Sequence, residues 1–100
     1  MCGIAGYIGK KQVSKSVINK TLGLMKNRGP DYQDWRSFIA NDTNVYLRHS
    51  RLSIIDLDER SNQPFSYSGF TLIFNGEIYN YIEVREELKK RGHVFTTDSD

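Results

Sequence analysis

This 100-residue chain contains a single cysteine, one residue from its start, in Met1-Cys2-Gly3-Ile4-Ala5-Gly6-Tyr7-Ile8-Gly9. Chain termini are ordinarily exposed and poorly ordered, whereas an unreactive cysteine is usually a small buried hydrophobe. The residues after Cys2 bear on that conflict. Ile4, Gly6 and Ile8 alternate with Ala5 and Tyr7, which predicts a strand that holds the terminus at a sheet edge. The glycines leave room for a backbone or a substrate to approach closely. Loss of Met1 would leave a thiol and a free α-amine on one residue. An α-amine titrates close enough to neutrality to serve as a base, and a thiol needs only modest help to ionise. Nucleophile and base on one residue is the N-terminal-nucleophile arrangement. A merely structural thiol fits position 2 poorly.

Length allows one small domain or part of a larger one. A hydrophobic fraction of 38% with 12% aromatics is compatible with a packed core. The net charge of +2 is too slight to argue for nucleic acid or membrane partners. One cysteine excludes an intrachain disulfide and makes a reducing, cytoplasmic location the default. No signal-type apolar region follows a basic stretch, and no run reaches the length of a membrane span. The end, Thr96-Thr97-Asp98-Ser99-Asp100, lacks a closing element and reads as an interior point of something longer.

Val13, Val17, Ile18, Leu22 and Met25 lay one apolar stripe along a helix, which Ser14 or Ser16 can cap. Gly29-Pro30 stops it near Asn27. Arg28-Gly29-Pro30-Asp31 reads as a tight turn. Strands follow at Trp35–Ile39 and Val45–His49, with a loose connection over Asn41–Asn44. Arg51–Leu57 continues as an apolar extended segment, and Asp58–Pro64 as a polar loop. Phe70–Phe74 reads as a strand apolar enough to be buried on both sides. A helix begins at Asn80 with Glu83 in capping-box spacing. Glu86 and Glu87 stand four residues before Lys90 and Arg91, and Gly92 ends the helix. Val94–Thr96 reads as a last strand. The order predicts an α+β fold, helices set against a mainly antiparallel sheet.

Several groups suit chemistry with the thiol. Asn75-Gly76 offers a side-chain amide and an unobstructed backbone N–H, the ingredients of an oxyanion hole. Arg51 is a forked cation able to take a carboxylate through two bonds. Glu77 and Asp100 can accept from an ammonium group. Facing one another, these charges would suit a free α-amino acid whose side-chain carbonyl the thiolate attacks. Taken singly, Asn-Gly is usually only a turn, and a lone Arg or Asp is usually a solvated charge.

Together with Cys2-Gly3-Ile4-Ala5-Gly6, the runs Arg28-Gly29-Pro30-Asp31, Arg51-Leu52-Ser53-Ile54-Ile55-Asp56-Leu57, Gln63-Pro64, Phe74-Asn75-Gly76-Glu77-Ile78-Tyr79-Asn80 and Ser99-Asp100 give the chain a family resemblance over essentially its whole length. It resembles the glutaminase domain of glutamine-hydrolysing asparagine synthetases, which are class II glutamine amidotransferases. The resemblance implies an N-terminal-nucleophile fold with antiparallel sheets layered with helices, of which residues 1–100 are the first part. It implies glutamine as substrate and a C-terminal ATP-dependent synthetase domain that forms asparagine from aspartate.

By position, Cys2 matches the nucleophile, and Asn75 and Gly76 match the oxyanion donors. Arg51 matches the glutamine-carboxylate ligand, and Glu77 and Asp100 the groups near the ammonium, with Asp98 the fallback. Backbone around Ser53, Ile54 and Ile55 would line the same pocket. No metal or cofactor is implied for this domain; ATP and Mg2+ belong to the synthetase domain. A homodimer is compatible with the resemblance. Asn27 stands where the family commonly has histidine, and Arg48 where it more usually has glycine. These departures leave room for an amidotransferase acting on another acceptor, such as a surface-polysaccharide sugar. A non-catalytic fragment or binding module is the alternative of another class.

Overall fold

The glycine-rich start of the chain is strand β1 (Gly3–Gly9) in the computed structural model, which describes all 100 residues. It is an edge strand of a three-stranded antiparallel sheet, paired with β3 (Thr43–Arg51) from Gly3↔Ser50 to Gly9↔Asn44. β2 (Tyr32–Ala40) flanks β3 on its other side, from Tyr32↔Arg51 to Ala40↔Thr43. β3 is therefore the central strand, and its last residue brings Arg51 to the end where Cys2 lies. The β2–β3 connection is tighter than the expected loose loop. Only Asn41 and Asp42 separate the strands, at φ 48° and 58°. Asn and Asp tolerate the left-handed region, and two such residues make the turn whose twist matches a hairpin.

Helix α1 (Lys15–Met25) crosses between β1 and β2. Ser14 caps it, its hydroxyl accepting from Val17 N–H at 3.3 Å. Ile18 and Leu22 are buried against the sheet, while Val17, on the expected stripe, is half exposed. Gln33 on β2 donates to the Leu22 carbonyl at 2.6 Å and also to Ser50 Oγ, fastening helix to sheet. After α1 the chain passes so close to β3 that a Cβ on Gly29 would overlap the Ser50 backbone. Only glycine fits there, and Asp31 N–H then meets the Arg51 carbonyl at 3.1 Å.

Beyond Arg51 the expected extended segment leaves the sheet. Asp56 turns it at φ 51°, a one-turn 3-10 helix covers Glu59–Ser61, and the Gln63–Pro64 peptide is cis. A second sheet has two strands, β4 (Phe65–Tyr67) and β5 (Phe70–Leu72), joined by Ser68-Gly69 at positive φ. β4 was not expected. The strand expected over Phe70–Phe74 stops at Leu72 and is not buried on both sides: Phe70 and Leu72 are exposed. β5 has one neighbour, so its far edge and its faces lack the layers that burial requires.

Helix α2 (Tyr81–Lys90) starts after Asn80, as expected, but Asn80 at φ −99° and ψ 30° makes no side-chain cap bond. Glu87 pairs with Arg91 at 2.5 Å, whereas Glu86 pairs with Lys89 rather than Lys90, at 2.9 Å. Gly92, at φ 92°, ends the helix, with its N–H on the Lys89 carbonyl and His93 N–H on the Leu88 carbonyl. Val94–Thr96 forms no strand, having no partner to pair with. The architecture is thus α+β, with two antiparallel sheets and two helices. Neither helix is long and apolar enough to cross a membrane.

Candidate active site

Cys2 lies where β1 begins and β3 ends. Leu52 N–H donates to Cys2 Sγ at 3.4 Å, and the Leu52 carbonyl lies 3.8 Å from the sulfur. Arg28 Nε donates to the Cys2 carbonyl at 3.2 Å. The terminus is thus held by the sheet, by Leu52 and by the turn after α1, and the thiol is half-buried.

The thiol opens on a cavity of about 670 Å³. Asn75 and Gly76 form part of its wall, as do Arg51, Glu77 and Asp100, with Ile54 and Ile55 beside them. Residues from both ends and the middle of the chain therefore meet around one space. Ser53 does not join them. Its N–H donates to Asp31 Oδ2 at 2.7 Å, and it borders a neighbouring polar depression with Asp31 and Tyr32. Asp98 is also off the cavity wall, paired with Arg60 at 2.5 Å and Arg85 at 3.5 Å.

Gly76 packs closely against a side chain. A Cβ there would sit 2.6 Å from the ring of Phe74, inside van der Waals contact. Phe74 itself is held by side chains from two directions. Its N–H donates to Gln63 Oε1 at 2.5 Å, and His49 Nε2 donates to its carbonyl at 3.2 Å. His49 is fully buried on β3, with no partner for Nδ1. Burial pushes its pKa below the usual histidine value, against the raising effect of the Phe74 carbonyl and with the lowering effect of Arg51. The neutral Nε2–H form is the one this environment favours.

Arg51 is 5% exposed. One terminal nitrogen donates to the Asp58 carbonyl at 3.0 Å and Asn62 Oδ1 at 2.8 Å. The other donates to the carbonyls of Ile55, at 3.4 Å, and Asp56. All four terminal N–H groups are engaged by the loop that follows β3. The guanidinium closes that loop on itself, and a carboxylate in the cavity can be gripped through two bonds only if it displaces carbonyls of Ile55 or Asp56.

Asp56 gathers the same region from outside. Its carboxylate accepts from Ser61 Oγ at 2.6 Å, Asp98 N–H at 2.7 Å and Asp58 N–H at 3.2 Å, with Arg60 at 3.4 Å. These donors, the Ser61 hydroxyl foremost, hold its carboxyl well below the usual carboxylate range. The C-terminal segment is held from α2 as well: Arg85 donates to the Thr97 carbonyl at 2.9 Å and the Ser99 carbonyl at 2.6 Å. Its guanidinium lies over the Tyr81 and Phe95 rings. Asp100 at the end of this segment accepts from Ile78 N–H at 2.7 Å, which ties it to the run after Gly76.

Of the residues singled out from the sequence, Cys2, Arg51, Ile54, Ile55, Asn75, Gly76, Glu77 and Asp100 line the cavity; His49, Gln63, Asp56 and Arg85, which fix its surroundings, were not singled out, although Gln63 also lines it. Gln63 and Asp56 lie inside the runs that carried the resemblance, but nothing in their residue type announced which backbone group each would bind. The signal at His49 was a titratable residue in a strand, next to a second charged one.

A thiol, an amide–glycine pair and carboxylates thus line one cavity with an apolar wall. The comparison with protein families is specific: a model described as a glutamine amidotransferase domain matches residues 1–100, and the chain belongs to that family. Among curated relatives it is 42% identical, over its full length, to asparagine synthetase [glutamine-hydrolyzing] 1 of Bacillus subtilis, covering 16% of that protein. It is 37% identical over its full length to asparagine synthetase [glutamine-hydrolyzing] 3 of the same organism, covering 17%. Against asparagine synthetase [glutamine-hydrolyzing] 1 of Arabidopsis thaliana the figures are 38%, the full chain and 17%. The chain thus spans about a sixth of the length of these relatives. No solved structure matches it.

Proposed function

We propose that this chain is the first part of an N-terminal-nucleophile glutaminase domain, and that the whole protein is a glutamine-hydrolysing asparagine synthetase. The observation that carries the reading is the convergence of Cys2, Asn75–Gly76 and Asp100 on one cavity, in a chain of the amidotransferase family. The names of the relatives support aspartate as acceptor. With Met1 removed, the α-amine of Cys2 takes the thiol proton, through a water, and the thiolate attacks the side-chain amide carbon of glutamine. Asn75 Nδ2–H and Gly76 N–H receive the oxyanion of the tetrahedral intermediate. The protonated amine then gives its proton to the departing nitrogen, the C–N bond breaks and ammonia leaves a γ-glutamyl thioester. Attack by water on that thioester releases glutamate and restores the thiol.

Arg51 supplies positive charge for the glutamine carboxylate, and Asp100 with Glu77 receives its ammonium. Ammonia is then used by the synthetase domain, where ATP and Mg2+ are proposed to act; this domain needs neither. Replacing the nucleophile tests the reading. In the full-length protein, Cys2→Ala abolishes glutamine-dependent amidation and leaves amidation from added ammonia intact. Glutamine hydrolysis that survives Cys2→Ala removes the proposal.

A further inference from the structure

We propose that His49 and Gln63 are positioning residues that set the oxyanion hole by clamping the two peptide groups of Phe74. The inference rests on the roles proposed above for Cys2, Asn75 and Gly76.

β5 ends at Leu72, and within residues 1–100 no strand pairs with the stretch from Ile73 to Gly76. Yet an oxyanion hole works only if its donors are fixed before charge develops. Two side chains supply what the ladder does not. Gln63 Oε1 takes the Phe74 N–H at 2.5 Å, and His49 Nε2–H binds the Phe74 carbonyl at 3.2 Å. That carbonyl belongs to the peptide whose nitrogen is Asn75 N, so its direction sets the plane from which Asn75 and then Gly76 project. The Phe74 ring in turn occupies the space a Cβ on Gly76 would need. The donors thus follow from the orientation of one residue, held at both its amide and its carbonyl.

The two clamps are anchored differently. His49 belongs to the central strand of the first sheet, whose end also carries Leu52 against Cys2 Sγ. It therefore references the oxyanion pair to the same strand that positions the nucleophile. Gln63 belongs to the loop that Arg51 closes through Asn62 and the neighbouring carbonyls. His49 is fully buried, and its Nδ1 has no donor to meet. A buried imidazole with one unpartnered nitrogen forgoes a hydrogen bond, and its one bond here is to Phe74.

The test uses the full-length protein, and wild type must first show glutamine hydrolysis that Cys2→Ala abolishes; without that, the functional reading fails rather than this one. His49→Leu removes the donor, while His49→Gln offers an amide N–H in nearly the same place. Gln63→Met removes the acceptor, while Gln63→Glu keeps one. Expected for His49→Leu and Gln63→Met is a fall in kcat of about tenfold or more with KM for glutamine within about twofold, the pattern of a loss felt in the transition state. Glutamate γ-semialdehyde, whose thiol adduct carries the oxyanion, should bind correspondingly more weakly. Alkylation of Cys2 by iodoacetamide should keep its wild-type rate, because the nucleophile is untouched. His49→Gln and Gln63→Glu should recover most of kcat.

A structural role alone would lower the melting temperature and move all these readouts together, and that result overturns the proposal. So does a wild-type kcat in either His49→Leu or Gln63→Met. If His49→Leu does not fold, the comparison of Gln63→Met with Gln63→Glu decides by the same criteria.

Discussion

Asn75 and Gly76 are both proposed to act through N–H groups, and they are sensitive to different changes. Asn75→Ala removes a donor without disturbing the chain. Its kcat for glutamine hydrolysis should fall about a hundredfold or more, about 3 kcal/mol, with KM little changed. A steady-state assay showing the reverse pattern would remove Asn75 from the oxyanion hole. Gly76→Ala acts through sterics, since its Cβ meets the Phe74 ring at 2.6 Å. Arg51 is the residue whose two readings the structure brings closest together. It lines the cavity, yet its terminal N–H groups bind the loop after β3. Arg51→Lys keeps the charge but cannot reproduce four directed bonds. The expected outcome is slower inactivation by a thiol-directed glutamine analogue, with inactivation by a small neutral alkylator unchanged. Equal slowing of both would assign Arg51 to the loop alone. Part of the cavity wall was legible in the sequence, because a thiol, an amide–glycine pair and opposite charges are recognisable by type; its apolar lining from Phe65, Leu72, Phe74 and Phe95 was not. That Ser53 turns to Asp31 instead was not, because the turn at Asp56 that redirects the segment depends on contacts distant in sequence.

Elements were legible in proportion to how local their causes are. α1 ends where Gly29-Pro30 requires, and α2 ends in the glycine motif that Gly92 announces. The first hairpin turns on Asn41-Asp42, residue types that tolerate positive φ, whereas the hairpin at Ser68-Gly69 was not expected. The misread elements, the full Phe70–Phe74 strand and the Val94–Thr96 strand, are those whose existence needs a neighbour. Strand propensity cannot supply that neighbour. Between α2 and the chain's end, side chains replace pairing. Arg85 reaches from α2 to the Thr97 and Ser99 carbonyls, and Asp56 takes Asp98 N–H from the other side. This element bears Asp100, so its placement should be felt in substrate binding. Arg85→Ala removes both carbonyl contacts and the packing over Phe95. We expect KM for glutamine to rise about tenfold or more, the scale of losing one or two buried charge-assisted bonds, with kcat less affected. An unchanged KM would show that Asp100 is held without α2.

At the scale of the whole molecule, Cys2 lies at the end of the first sheet and Asn75-Gly76 lies beyond the second, so the proposed chemistry depends on how the two are joined. The α+β character and antiparallel pairing followed from the sequence. The β1-β3-β2 order and the short second hairpin required knowing which strands meet. His49 is one of the few direct ties, since it belongs to β3 and binds Phe74 beyond β5. It is also the tie that pH can weaken. Its ring is buried, Arg51 lies nearby on the same strand and lowers its proton affinity further, and Asp34 is its register partner on β2. Because the folded pKa lies below the ordinary value of about 6.5, the unfolded chain takes up a proton more readily than the folded one. The stabilisation from keeping His49 neutral is therefore complete above about pH 6.5 and declines as pH falls below it. Asp56 adds a separate decline at more acidic pH. Its folded pKa is also depressed, so its contribution is present above about 3.9 and lost as protons bind below that. Between about pH 7 and 5.5 the decline from His49 should come before that from Asp56. The urea midpoint of the wild-type chain should fall across this interval, and His49→Gln, which cannot take up the proton, should flatten the fall. Parallel curves for wild type and variant would show that the joint between the halves does not depend on His49 being neutral.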